Sequence, residues 1–169
     1  MEQQGNITYS YLTFKLGEEQ YGIHVSQVLN ILKMVKITEV PKSPNYMKGV
    51  INLRGSVLPV IDIRIKFGMP EKGYTNSTCI IVMDLDMDGE TIYLGTIVDE
   101  VLSVHEIEEK QVEPPPSIGS KYKSAFIYGM AKVDENFIML LDMQKVLTEE
   151  ELTEISDTAQ SNPVQTETN

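Results

Sequence analysis

Residues 49–62, GVINLRGSVLPVID, constrain the fold more than any other stretch. Two apolar, β-branched runs, Val50–Leu53 and Val57–Ile61, are separated only by Arg54-Gly55-Ser56. So short a link forces the runs to pair antiparallel, and its glycine supplies the positive φ that a short, bulged hairpin needs. Side chains alternate along a strand, so Val50, Asn52 and Arg54 share one face and Ile51 and Leu53 the other. Arg54 is the odd residue, a cation at the tip of an otherwise apolar hairpin. Pro59 cannot donate to a ladder, so its strand is expected at a sheet edge or with a bulge there.

Similar punctuation runs along the chain. Residues 7–16 alternate in character, Gly17-Glu18-Glu19 turns, and Tyr21, Ile23 and Val25 alternate again, which makes a hairpin. Residues 25–35 fit two readings. Val25, Val28, Leu29, Leu32 and Val35 follow helical spacing with Ser26 placed as N-cap, whereas Val28 and Ile31–Val35 also suit a strand. Pro41 and Pro44 bracket a loop, Asn45–Lys48 reads as one helical turn ended by Gly49, and Arg64–Phe67 as another closed by Gly68 and Pro70. Residues 71–77 are a polar surface loop. Thr78–Leu85 and Thr91–Val98 form a hairpin around Asp88-Gly89, and Val101–Ile107 is one more strand. Residues 108–124, with Pro114-Pro115-Pro116, read as a long loop without regular structure. Phe126–Val133 and Phe137–Leu141 pair around Asp134-Glu135-Asn136. Asp142–Leu147 begins a helix, and Thr148 caps another of about two turns, with Glu149, Glu150 and Glu151 at its positive end. Residues 158–169 have almost no large apolar side chain and are expected to be a disordered tail. Roughly ten short strands with little helix before residue 142 define an all-β chain, a barrel or a sandwich. No internal repeat with a clear sequence period is present.

The net charge of −11 argues against nucleic acid, whose phosphates need clustered Lys and Arg. The charge is uneven: residues 1–72 carry 9 Lys+Arg and 6 Asp+Glu (+3), and residues 73–169 carry 5 and 19 (−14). The single cysteine, Cys79, allows no internal disulfide and fits a reducing compartment. The first residues lack the basic and apolar blocks of a signal peptide, and no apolar run approaches the ~20 residues of a membrane helix. A cytoplasmic protein with no direct membrane insertion is the expectation.

Chemical motifs are weak. Asp84-Leu85-Asp86-Met87-Asp88-Gly89 opens like a calcium loop, but its twelfth position is Gly95 where a bidentate Glu is needed, so it reads as an acidic hairpin turn. His24 and His105 are the only histidines and have no ligand spacing, so neither metal nor cofactor is expected. Nucleophile elbows, phosphate loops and dinucleotide fingerprints are missing from the sequence. Asp62 and Asp142 each follow an apolar strand and read as strand ends or turn caps. The enzyme alternative is a small β-barrel hydrolase using Asp62 or Asp142 with His105. By residue type alone, Arg54 would be a surface arginine paired with a carboxylate, worth ~0–1 kcal/mol.

The motifs in order are LGEEQYGIHV, VPKSPNYMKGVINLRGSVLPVIDIR, GTIVDEVLSV and YGMAKVDENFIMLLDMQKVL. Together they resemble the CheW family, coupling proteins of bacterial chemotaxis, and the NLRG block carries most of the specificity. The kinase CheA has a regulatory domain of similar pattern, but no kinase, phosphotransfer or receiver segment accompanies it here. The resemblance implies two five-stranded SH3-like β-barrels sharing a core over residues 7–157, with short helical turns and a C-terminal helix. It also implies a helical turn near Ser26–Val28 running into a strand. It implies a non-catalytic adaptor joining methyl-accepting chemoreceptor tips to the histidine kinase CheA, or a CheW-like scaffold of a pathway unrelated to motility. Carried over residue by residue, the receptor site falls on Val28, Asn30, Gly49, Asn52 and Arg54, and the side facing the kinase's regulatory domain on Val98, Val101 and Val104. Well-known members have a Glu where Asn30 stands, able to pair with the NLRG arginine; Asn30 cannot form that ion pair.

Overall fold

The computed structural model describes residues 7–70, 72–115 and 125–161. In chain order the elements are β1 (Thr8–Leu16), β2 (Glu19–His24), β3 (Val28–Lys33), β4 (Met47–Leu53), β5 (Ser56–Asp62), α1 (Ile63–Lys66), β6 (Cys79–Met87), β7 (Glu90–Val98), β8 (Glu100–Glu108), β9 (Val112–Glu113), β10 (Ile127–Val133), β11 (Asn136–Leu141) and α2 (Glu149–Ser161). Single 3-10 turns occupy Val25–Gln27, Glu109–Gln111 and Met143–Lys145.

Two-residue turns build the hairpins. Leu16 pairs with Glu19, Leu53 with Ser56, Met87 with Glu90 and Val133 with Asn136. In three of them both turn residues have positive φ: Arg54-Gly55 (54° and 86°), Asp88-Gly89 (52° and 85°) and Asp134-Glu135 (50° and 69°). Paired positive φ is the signature of a type I′ turn, whose twist matches that of the strands it joins. The β4–β5 link is thus two residues and not the expected three, with Ser56 already in the ladder.

The hairpins assemble into a five-stranded sheet, β3-β6-β7-β5-β4, and a six-stranded sheet, β8-β1-β2-β11-β10-β9. Each joins a hairpin from one half of the chain to a hairpin from the other through a parallel seam: Val60–Asp62 beside Gly95–Ile97, and Ile138–Leu140 beside Gln20–Gly22. The third strand of each half also crosses over, β3 to β6 and β8 to β1. The halves are therefore interleaved, and a structural repeat exists where the sequence shows none. In both halves an aspartate ends the second hairpin. The Asp62 amide donates to Tyr46 O and the Asp142 amide to Phe126 O, each at 2.7 Å. Asp62 Oδ1 then accepts from the Arg64 amide and Asp142 Oδ1 from the Gln144 amide, each at 3.0 Å, capping α1 and the 143–145 turn.

Burial follows this plan. Ile51, Leu58, Val60, Ile80, Val82 and Ile97 fill the five-stranded lobe, and Tyr11, Ile107, Ala131, Ile138 and Leu140 fill the six-stranded one. The largest cluster lies between them, with Phe14, Ile61, Met83 and Leu141 among its members, and takes in Leu152 and Ile155 of α2. Each such side chain contributes ~1.5–3 kcal/mol on burial, so this shared layer holds the lobes together. The two curled sheets form two SH3-like barrels, one with a sixth, two-residue strand.

Other expectations need correction. Asn45-Tyr46 is a turn and Met47 already begins β4, so no helical turn precedes Gly49. Pro59 lies on an interior strand, yet it precedes the parallel pairing with β7, which starts at Val60, so its missing N–H interrupts no ladder. The stretch from 108 contains a 3-10 turn and β9, which pairs with Met130-Ala131; residues 116–124 lie outside the described residues. Helix α2 runs to Ser161, past the expected boundary at 157, because Ala159 is buried in the shared layer beside Leu152 and Ile155. Residues 162–169, the remainder of the expected tail, lie outside the described residues.

Candidate functional site

The β4–β5 tip is preorganised. Asn52 Oδ1 accepts the Gly55 amide at 2.9 Å and so ties the turn shut. Arg54 sits in the left-handed region at φ 54°, exposed, with no ion pair to another described residue. A guanidinium held this way keeps its donors for a partner, and a bidentate carboxylate is the group it fits best.

Of the other residues carried over to the receptor site, Val28 and Asn30 lie on β3, the opposite edge of the same sheet. The segment that follows β3 closes the barrel onto β4: the Thr38 amide donates to Val50 O at 2.9 Å and the Val50 amide to Thr38 O at 2.8 Å. Leu32 of β3 and Leu53 of β4 pack on the same interior cluster. Val28 and Asn30 thus lie on one edge strand and Gly49, Asn52 and Arg54 on the hairpin at the other edge, each in a different setting. Val28 is half-buried against the shared layer. Asn30 Oδ1 accepts the amide of Ile31 at 2.8 Å, covering a donor on an edge strand. Gly49 is buried at φ 146°, where a Cβ would collide with the Thr38 carbonyl. Its role is to let the barrel close, not to present a side chain.

The second set divides. Val98 is 0% exposed within the shared layer, so it meets no partner directly and that expectation is corrected. Val101 is half-buried opposite Phe14. Val104 is 55% exposed on β8, an edge strand, and Leu102 beside it is 37% exposed. Sequence reading missed Leu102, and also Leu29 and Ile31, exposed on the β3 edge; an alternating strand on an edge was the available signal.

The charged centre that sequence reading passed over is Arg64. Its Nε and Nη2 donate to Asp62 Oδ1 and Oδ2 at 2.9 and 2.8 Å, and Nη1 donates to Asp99 Oδ1 at 2.8 Å. Asp99 Oδ2 accepts the Gly17 amide at 2.6 Å, linking α1 to the β1–β2 turn. The Asp62 hydrogen bonds, opposed in part by burial and assisted by Asp99, raise the Arg64 pKa above its ordinary value. This is structural electrostatics: Asp62 spends both oxygens on Arg64, Asp142 caps its turn, and His105 Nε2 pairs with Ser103 Oγ at 3.1 Å. The Asp–His constellation of the hydrolase alternative is not assembled by these contacts. Among the described residues no group of three or more His, Cys, Asp or Glu is placed to hold a metal ion. Among the described residues no helix is long and apolar enough to cross a membrane.

Two interleaved SH3-like barrels with a cationic hairpin tip and apolar residues exposed on edge strands define the class of fold. The comparisons place it: a CheW-like domain profile matches residues 10–151, and the chain belongs to that family. It is 32% identical to the chemotaxis protein CheW of Klebsiella aerogenes over 89% of each chain. It is 35% identical to that of Bacillus subtilis over 82% of this chain and 86% of the relative. The solved structure of the scaffolding protein TtCheW from Thermoanaerobacter tengcongensis superposes with a TM-score of 0.73 at 34% identity, covering 83% of this chain and 92% of that one.

Proposed function

We propose that this chain is a non-catalytic cytoplasmic adaptor that couples the cytoplasmic tips of methyl-accepting chemoreceptors to the histidine kinase CheA. The single observation that carries the reading is the Arg54 tip, an exposed guanidinium without an ion-pair partner among the described residues, on a turn braced by Asn52. Family membership and likeness to a scaffolding protein support it. A receptor tip carrying a carboxylate docks at the β3–β4 seam, reading Arg54 and Asn52, with Val28 and Asn30 across the seam. Gly49 supports the site through the backbone. The kinase's regulatory domain docks on the β8 edge, where Val104 and Leu102 are exposed and Val101 lies half-buried, with Val98 as packing beneath.

Pull-down with a receptor signalling fragment tests the assignment. Arg54→Glu is expected to weaken receptor capture by about tenfold or more, the scale of a hot-spot arginine, while leaving the circular dichroism spectrum and thermal midpoint unchanged. Undiminished capture would remove the tip from the receptor site.

A further inference from the structure

A groove away from the β8 edge, and next to the β4–β5 hairpin, runs between α2 and the β5–β7 face. It has a volume of about 380 Å³ and a mixed lining: Val57, Pro59, Met87, Ile92 and Tyr93 beside the hydroxyls of Thr91, Thr153 and Ser156. Tyr93 is 52% exposed, so a large ring stands in solvent at the groove wall. The rim carries Glu90 and Asp157. The exposed flank of α2 extends this acidic border through Glu149, Glu150 and Glu154, with Thr153 and Asp157 common to flank and groove. Neither surface is lined by a lysine or arginine. A trough of mixed polar and apolar lining with an aromatic wall, whose charged lining groups are all carboxylates, suits cationic side chains flanking aliphatic ones.

We propose that this groove docks a basic, amphipathic segment of a partner protein, with aliphatic side chains on Tyr93, Ile92 and Met87 and Lys or Arg on Asp157, Glu90 and the α2 carboxylates. Charge complementarity selects the occupant. A second copy of this acidic chain would bring net like charge to an acidic rim, and the residues after Ser161 include an acid and no base.

The test is fluorescence anisotropy on the full chain with two fluorescein-labelled peptides of equal charge, one alternating lysine and leucine, the other lysine and serine. The lysine–leucine peptide should bind about tenfold more tightly, and Tyr93→Asp should abolish that difference. Asp157→Lys should weaken it about fivefold, whereas Asp134→Lys, the same charge change in the β10–β11 turn, should stay within about twofold. Equal affinities for the two peptides, or an Asp134→Lys effect as large as that of Asp157→Lys, would show only general attraction to an acidic chain and overturn the proposal. A rise of more than about tenfold on truncation after Ser161 would assign the groove to the chain's own terminal residues and overturn it equally. Tyr93, Asp157 and Asp134 are all exposed, so these variants keep the fold.

Discussion

Gly49 and Arg54 stand on one hairpin and fail in opposite ways when changed. Gly49→Ala drives a Cβ into the Thr38 carbonyl at a backbone angle that L side chains rarely adopt. Its expected cost is about 3 kcal/mol or more, read as a lower denaturant midpoint, with any binding loss following from unfolding. Arg54→Glu changes charge on an exposed turn and should leave that midpoint within about 0.5 kcal/mol. A third residue tests the shared layer. Thr96 is 1% exposed, and its Oγ1 has no hydrogen-bond partner among the described residues. Thr96→Val keeps the shape and removes the orphan hydroxyl, so it should raise stability by about 1 kcal/mol in urea unfolding; destabilisation would show that the hydroxyl is satisfied in solution. Gly55 was legible in the sequence because a turn is a local event. The local pattern around Gly49 offered only a turn ender, because the carbonyl that excludes its side chain arrives from residue 38.

Among the elements, the hairpins were readable because apolar runs and Gly- or Asp-bearing turns lie next to each other. Strand β9 and the last turn of α2 were not, since β9 depends on pairing with β10 and Ala159 on a layer built by remote strands. The elements are joined by ion pairs of unequal depth. Asp99 connects Arg64 with the β1–β2 turn, and both side chains are largely buried, 15% and 3% exposed. Asp99→Ala leaves the guanidinium short of one carboxylate and the Gly17 amide without its acceptor, and should cost on the order of 3 kcal/mol in chemical denaturation. The α2 anchor is shallower. Glu151 accepts from Lys66 Nζ at 2.6 Å and from the Thr148 amide at 2.9 Å, while the Glu151 amide donates to Thr148 Oγ1 at 3.0 Å, a capping box. Burial alone would raise the Glu151 pKa, but the Lys66 and Thr148 contacts outweigh it and hold the carboxyl below its usual value. A depressed folded pKa means that the carboxylate's contribution is present above the unfolded value of about 4.3 and is lost as pH falls through the folded one. Thermal midpoints of wild type and Glu151→Gln should therefore differ at pH 7 by about 1 kcal/mol equivalent and converge in acid. A gap that persists at pH 2 would mean that packing, not charge, holds the helix.

At the scale of the molecule, two barrels with a common layer give one rigid body with well-separated surfaces: the β3–β4 seam on one lobe, the β8 edge on the other. The interleaving was invisible in the sequence because it resides in two parallel seams between residues more than thirty positions apart, and the repeated halves share an architecture more than a wording. The NLRG block made the family and the tip legible; the burial of Val98 was not, since a buried valine and an edge valine read alike. Separation of the docking surfaces is the central claim, and a three-component assembly tests it most directly. The chain is mixed with CheA and a receptor signalling fragment, and each pairwise affinity and the kinase turnover are measured for wild type and Arg54→Glu. In the Arg54→Glu variant CheA binding should stay within about twofold of wild type, receptor affinity should fall by about tenfold or more, and receptor control over the kinase should be lost. Receptor affinity left intact, or both affinities falling together, would contradict that separation.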